Sequence, residues 1–250
     1  MDGVLIRLFA PLLVVAGCHF DDVSIAGKQC PCPGGYACVA NACVVGDASS
    51  IDSGPSDGAP LGTCLVNPKT TLVYQSPVLA EFPTGFTTIG GDWTSSPSAL
   101  HQGNATATLL VAALTAIPGA PANANYRVVA TVTQTTGSEA GAYEISARIS
   151  SVNKQMYNCN LEPNDGKLVI NRTDLGGGTA TQLAVMELAN VTPLQPYTIE
   201  LQVESSELQC CARGIAGASL TVSDAVLTTG APGMKTYLMA ADFRDFAVYQ

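Results

Sequence analysis

The sequence predicts an all-β fold: an antiparallel β-sandwich of the jelly-roll kind over residues 63–250, preceded by a small disulfide-rich segment and a flexible linker. Three observations carry this. Short runs alternate with period two, most cleanly in Tyr197 to Glu204, where Ile199, Leu201 and Val203 face one way and Glu200, Gln202 and Glu204 the other. That pattern predicts a strand with one dry and one wet face. Glycines punctuate the runs, at Gly166, Gly176-Gly177-Gly178, Gly214 and Gly217. Helical periodicity is nearly absent, and many short strands over this length imply stacked antiparallel sheets.

Residues 1–17 begin the chain with a mostly apolar core, Val4 to Ala16, whose only charged side chain is Arg7. It is shorter than the ~20 apolar residues a spanning helix needs and reads as a secretory signal. Its end, Leu12-Leu13-Val14-Val15-Ala16-Gly17-Cys18, resembles the lipobox of bacterial lipoproteins. The resemblance implies cleavage before Cys18, a diacylglycerol on its thiol and a place in the cell envelope, held to a membrane by the anchor. His19, where some sorting rules expect aspartate, favours the outer membrane over the inner. Asp2 departs from the positive start such signals have. The alternative is an ordinary cleaved signal with Cys18 in a disulfide.

Residues 18–29 read as a tether. Residues 30–44 carry Cys30, Cys32, Cys38 and Cys43 with no apolar core of their own, so covalent staples must hold the segment. Its spacing suggests Cys30–Cys38 and Cys32–Cys43, although four cysteines allow three pairings. A zinc site is the rival reading, disfavoured by an oxidising compartment and the absence of a nearby histidine. The segment resembles short cysteine-rich modules of surface proteins from large-genome predatory bacteria.

Residues 45–62 are rich in Gly, Ser and Pro and carry Asp47, Asp52 and Asp57 at every fifth position. They read as an extended, self-repelling spacer, and such linkers resemble those of myxobacterial lipoproteins. Calcium needs convergent oxygens on a turn, so the spacer is not read as a calcium repeat. The net charge of −9 argues against nucleic acid as a partner.

In the sandwich, Phe82 to Gln102 with Gly90-Gly91-Asp92-Trp93 resembles the opening hairpin of concanavalin A-like and laminin-G-like domains. Met156 to Leu161 with Gly166 to Ile170, Pro196 to Glu204 with Arg213-Gly214, and Ala241 to Tyr249 resemble their later strands in the same order. The resemblance implies a sandwich that often binds glycans or matrix on a concave face or rim loops. Arg213 stands where the family usually has aspartate, which puts a calcium site at that turn in doubt.

Excluding Cys18 leaves an even eight cysteines, as an exported disulfide framework has. Cys210 and Cys211 are adjacent, so on a strand they face opposite ways and take different partners. Cys159 and Cys64 are the candidates, without a choice between the two pairings. Glu200, Glu204 and Glu207 are the nearest imitation of a glucanase carboxylate run. By strand parity Glu207 leaves the face the others share, and all three read as the wet face of a hairpin. Only His19 and His101 are present, and no nucleophile elbow accompanies them. Trp93, with Asp92 beside it, is the candidate sugar platform, against the reading of Trp93 as a core plug. Asp242 and Asp245 are the weak candidates for a metal; calcium is the metal considered, and no clear motif supports it. The expectation is therefore a non-catalytic binding module for polysaccharide or a surface partner. A glycan-active hydrolase of the same fold and a purely structural envelope lipoprotein are the alternatives.

Overall fold

The computed structural model describes residues 36–39, 42–45, 64–76, 85–96, 98–106, 110–114, 124–150, 154–174, 176 and 178–250. Contacts divide the chain into two units, Met1–Ala59 and Pro60–Gln250. In the first unit β1 (Tyr36–Val39) and β2 (Ala42–Val45) pair as an antiparallel hairpin that sets Cys38 opposite Cys43 in register. Cys18, Cys30, Cys32, the tether and the spacer lie outside the described residues, and so do the two bridges expected there.

The second unit is built from β3 (Leu72–Gln75), β4 (Phe86–Ile89), β5 (Trp93–Ser95), β6 (Leu100–Gln102), β7 (Leu110–Leu114), β8 (Tyr126–Ile149), β9 (Gln155–Glu162), β10 (Lys167–Asp174), β11 (Thr179–Glu187), β12 (Pro196–Glu204), β13 (Glu207–Ala212), β14 (Ser219–Ser223) and β15 (Ala231–Tyr249). All pairings are antiparallel, and the described residues include no helix.

Two long strands frame the sandwich. β8 and β15 lie along each other from Arg127↔Tyr249 to Ile149↔Ala231, with several register shifts between. Each shift bends the pair and lets it pass from one sheet into the other. In the first sheet Tyr126 to Thr133 of β8 pairs with β12, which continues to β13 and β14, while β15 takes up β3 and β6. In the second sheet Tyr143 to Ala147 pairs with β9, followed by β10 and β11, while β15 takes up β7 and then β4. β9 packs on β12 and β13, and β10 on β13 and β14, with no ladder between them. These contacts are the two layers meeting.

The core follows from the alternation. Val128, Ala130 and Val132 of β8 and Ile199, Leu201 and Val203 of β12 meet Tyr143, Ile145, Leu161 and Ile170 from the other layer, all of them fully buried. Each large aliphatic side chain withdrawn from water contributes roughly 1.5–3 kcal/mol. Tyr74, Phe86 and Phe246 close one end as edge-on aromatic pairs 5.5 to 6.3 Å apart. The chain enters β15 through Gly230, whose φ is +147°; a Cβ there would stand 2.4 Å from the Arg148 backbone, so only glycine fits.

Two disulfides complete the unit. Cys159 on β9 bonds Cys210 on β13 across the core, and Cys211, pointing the other way, bonds Cys64.

The wet face expected on β12 is corrected. Glu200 and Gln202 are fully buried. The segment 64–69 lies over them: Val66 N donates to Gln209 Oε1 at 2.9 Å and Lys69 N to Gln202 Oε1 at 2.8 Å, while Lys69 Nζ meets Glu204 at 2.9 Å. Beneath it Glu200 accepts from Arg127 at 3.0 Å and from Arg213. Polar alternation here marks hydrogen-bonded pairing under a strap rather than contact with water. Glu207 is also corrected. It is the register partner of Glu204, so the two share a face; strand parity does not carry across the Ser205-Ser206 turn.

Candidate functional site

The second sheet turns its other face away from the core. Across it Lys235 (β15), Glu144 (β8) and Asn160 (β9) stand in one register row. Beside that row Ser146 Oγ donates to Asn158 Oδ1 at 2.8 Å, and Asn158 Nδ2 donates to Thr173 Oγ1 at 2.7 Å. Further along, Lys167 of β10 stands between Glu162 on β9 and Glu187 on β11. A cleft of about 380 Å³ opens on this face, lined by Glu144, Asn160, Glu162, Asn171, Lys235 and Tyr237, with Gly178 to Ala180 along one side.

Its electrostatics are unusual for a sheet surface. Lys235 Nζ donates to Glu144 Oε1, and both residues are almost entirely buried. Burying such a pair carries a desolvation cost that its mutual attraction and hydrogen bonds have to offset. Glu144 Oε2 and Asn160 Oδ1 are also buried and have no hydrogen-bond partner. Each unsatisfied acceptor costs about 1–3 kcal/mol. Burial pushes the Glu162 carboxyl above its ordinary value; Asp165, Glu144 and Glu187 push the same way, and Lys167 opposes them. The arrangement therefore presents acceptors and negative charge in a recess with one aromatic side chain, Tyr237, 37% exposed.

The residues singled out from sequence stand elsewhere. Trp93 on β5 is half-buried; its ring lies 5.8 Å from that of Phe243 and packs on the core. Asp92 is exposed beside it. Asp242 lies 2.7 Å from His101 Nδ1, and Asp245 is exposed at a φ of 52° where β15 bulges. A recess of about 20 Å³ next to Phe243 and Asp245 has room for a water. None of these four lines the cleft. Among the described residues one trio of metal-ligating side chains converges, Cys64, Glu200 and Cys211. Its two sulfurs are joined to each other, which leaves no thiolate for a metal.

Sequence reasoning missed Glu144, Asn160, Glu162, Lys235 and Tyr237 as site residues. The available signal was the set of charges on polar positions of otherwise apolar strands. What it lacked was the pairing: Glu144 and Lys235 are 91 residues apart.

No protein-family model matches the chain, and no curated protein matches it. Solved structures do. The carbohydrate-binding module CBM66 from Bacillus subtilis superposes with a TM-score of 0.54 at 17% identity, covering 67% of this chain and 96% of that one. A Bacillus subtilis protein of unknown function with a galectin-like fold gives 0.53 at 14%, covering 73% and 97%. The β-glucanase of Bacillus licheniformis gives 0.51 at 8%, covering 73% and 99%. At these identities the likeness is one of fold: an antiparallel jelly-roll sandwich.

Proposed function

We propose that the protein is a lipid-anchored module of the cell envelope that binds a polysaccharide without acting on it, in the cleft of the second sheet. The cleft carries this reading. Its volume suits a short stretch of sugar rings, its two buried oxygens need donors that sugar hydroxyls supply, and Tyr237 offers a partly exposed aromatic ring for stacking. The likeness to a carbohydrate-binding module supports the same ligand class. A protein surface partner is the runner-up occupant.

The test is a glycan array probed with the oxidised chain from His19 to Gln250, with calcium and with a chelator. Selective binding is expected in both conditions, weakened about tenfold by Tyr237→Ala. An array with no bound glycan sinks the reading and leaves a structural envelope role. A hydrolase of this fold is a second reading, favoured by Glu144 and Glu162 lining one cleft, since glycoside hydrolysis uses two carboxyls about 5–10 Å apart. Sugar release in the same incubation, abolished by Glu162→Gln, would establish it.

The anchor rests on Cys18, with the outer membrane as the proposed site. Cells fed a labelled fatty acid are expected to label the natural chain and not Cys18→Ser. A natural chain without label overturns the anchor.

A further inference from the structure

We propose that the cleft selects a positively charged amino group, so that its ligand is a polymer of free-amine hexosamines rather than of neutral or N-acetylated sugars. The inference rests on the sugar-binding reading and names the substrate class of that site. The unsatisfied groups are both acceptors: Glu144 Oε2, on a residue 1% exposed, and Asn160 Oδ1, on one 4% exposed. A carboxylate oxygen can only accept.

The charges around them do not balance. Lys235 is committed to Glu144, and Lys167 lies 3.7 Å from Asp165. Glu162 and Glu187 flank Lys167 in register and are left over. Of Lys167, Asp165, Glu162 and Glu187 only Glu162 lines the cleft, where Lys235 is already committed to Glu144, so one lining carboxyl stands beyond that pair. A neutral hydroxyl offers one hydrogen and no charge. An ammonium offers three and a full positive charge, and charge-assisted hydrogen bonds are roughly twice as strong as neutral ones.

The experiment is calorimetric titration of the oxidised full-length chain in buffers stepped from mildly acidic to neutral, because the sugar amines must keep their protons while Glu162, whose carboxyl is pushed above its ordinary value, must have lost its own. The probes are three β-1,4 hexamers: chitosan hexaose, chitin hexaose and cellohexaose. Chitosan hexaose is expected to bind about tenfold more tightly than either of the others. Glu162→Gln should reduce that preference to about threefold or less. Asp245→Asn, an exposed acid outside the cleft, should leave it intact. Equal binding of cellohexaose overturns the amine preference and leaves sugar binding standing. An equal loss in Asp245→Asn overturns it too, because general attraction to an acidic protein would then suffice. Failure of all three probes and of the array removes the sugar-binding reading itself.

Discussion

Glu162 holds its proton to a higher pH in the folded protein than in the unfolded chain. Burial is the main cause, followed by Asp165, with Glu144 and Glu187 adding and Lys167 opposing. Lys235 and Tyr237 share its cleft from β15. The folded value is raised, so stability from this group is full below the ordinary value of 4.5 and is lost as pH rises through the folded value. Glu162→Gln removes that loss. Thermal unfolding should show a midpoint about 1–2 °C higher in the variant at neutral pH, and no difference in acid where both states are protonated. The effect is kept small by the water that still reaches the carboxyl. A lower midpoint at neutral pH would mean that Glu162 is held chiefly by Lys167. Glu144 could not be recognised from sequence as part of a site, although its place on a polar face could. A lone acid at an alternating position looks the same whether it meets water or a lysine from the far end of the chain.

At the scale of elements, period-two alternation made β12 legible, because each strand has to put one row of side chains into the core. The same alternation misled about the other row. Glu200 and Gln202 read as solvent-facing, yet the outer face of β12 is roofed by residues 64–69 and knitted together by Arg127 and Arg213. Arg127 also lies 4.2 Å over the ring of Tyr249. Nothing in the strand itself signals a roof supplied from the start of the domain. Arg213 did carry a signal, as a departure from the aspartate of similar domains, and it proves to be the second cation on Glu200. Trp93 shows the opposite limit. A single aromatic beside glycines fits a platform or a plug equally well until Phe243, 150 residues on, is placed against it.

For the whole molecule, the adjacent cysteines of β13 make one covalent path through the sandwich. Cys64, where the spacer meets the domain, bonds Cys211; its neighbour Cys210 crosses the core to Cys159. In the chain-entropy account a loop of 147 residues contributes about 5 kcal/mol and one of 51 about 4, with less for the pair because the second loop lies inside the first. The same path sets how the domain would bear load through the proposed anchor. Force arriving along the spacer passes from Cys64 straight to Cys211, leaving only residues 212–250 free to extend. Pulling single oxidised molecules between the spacer and Gln250 should release about 130 Å of chain, at about 3.3–3.6 Å per residue. Cys64→Ser should release about 470 Å, because the Cys159–Cys210 loop stays closed, and full reduction about 650 Å. A release near 650 Å from the oxidised natural chain would exclude both bridges. One near 470 Å would exclude the bridge from Cys64 and, with it, the fastening of the strap over Glu200.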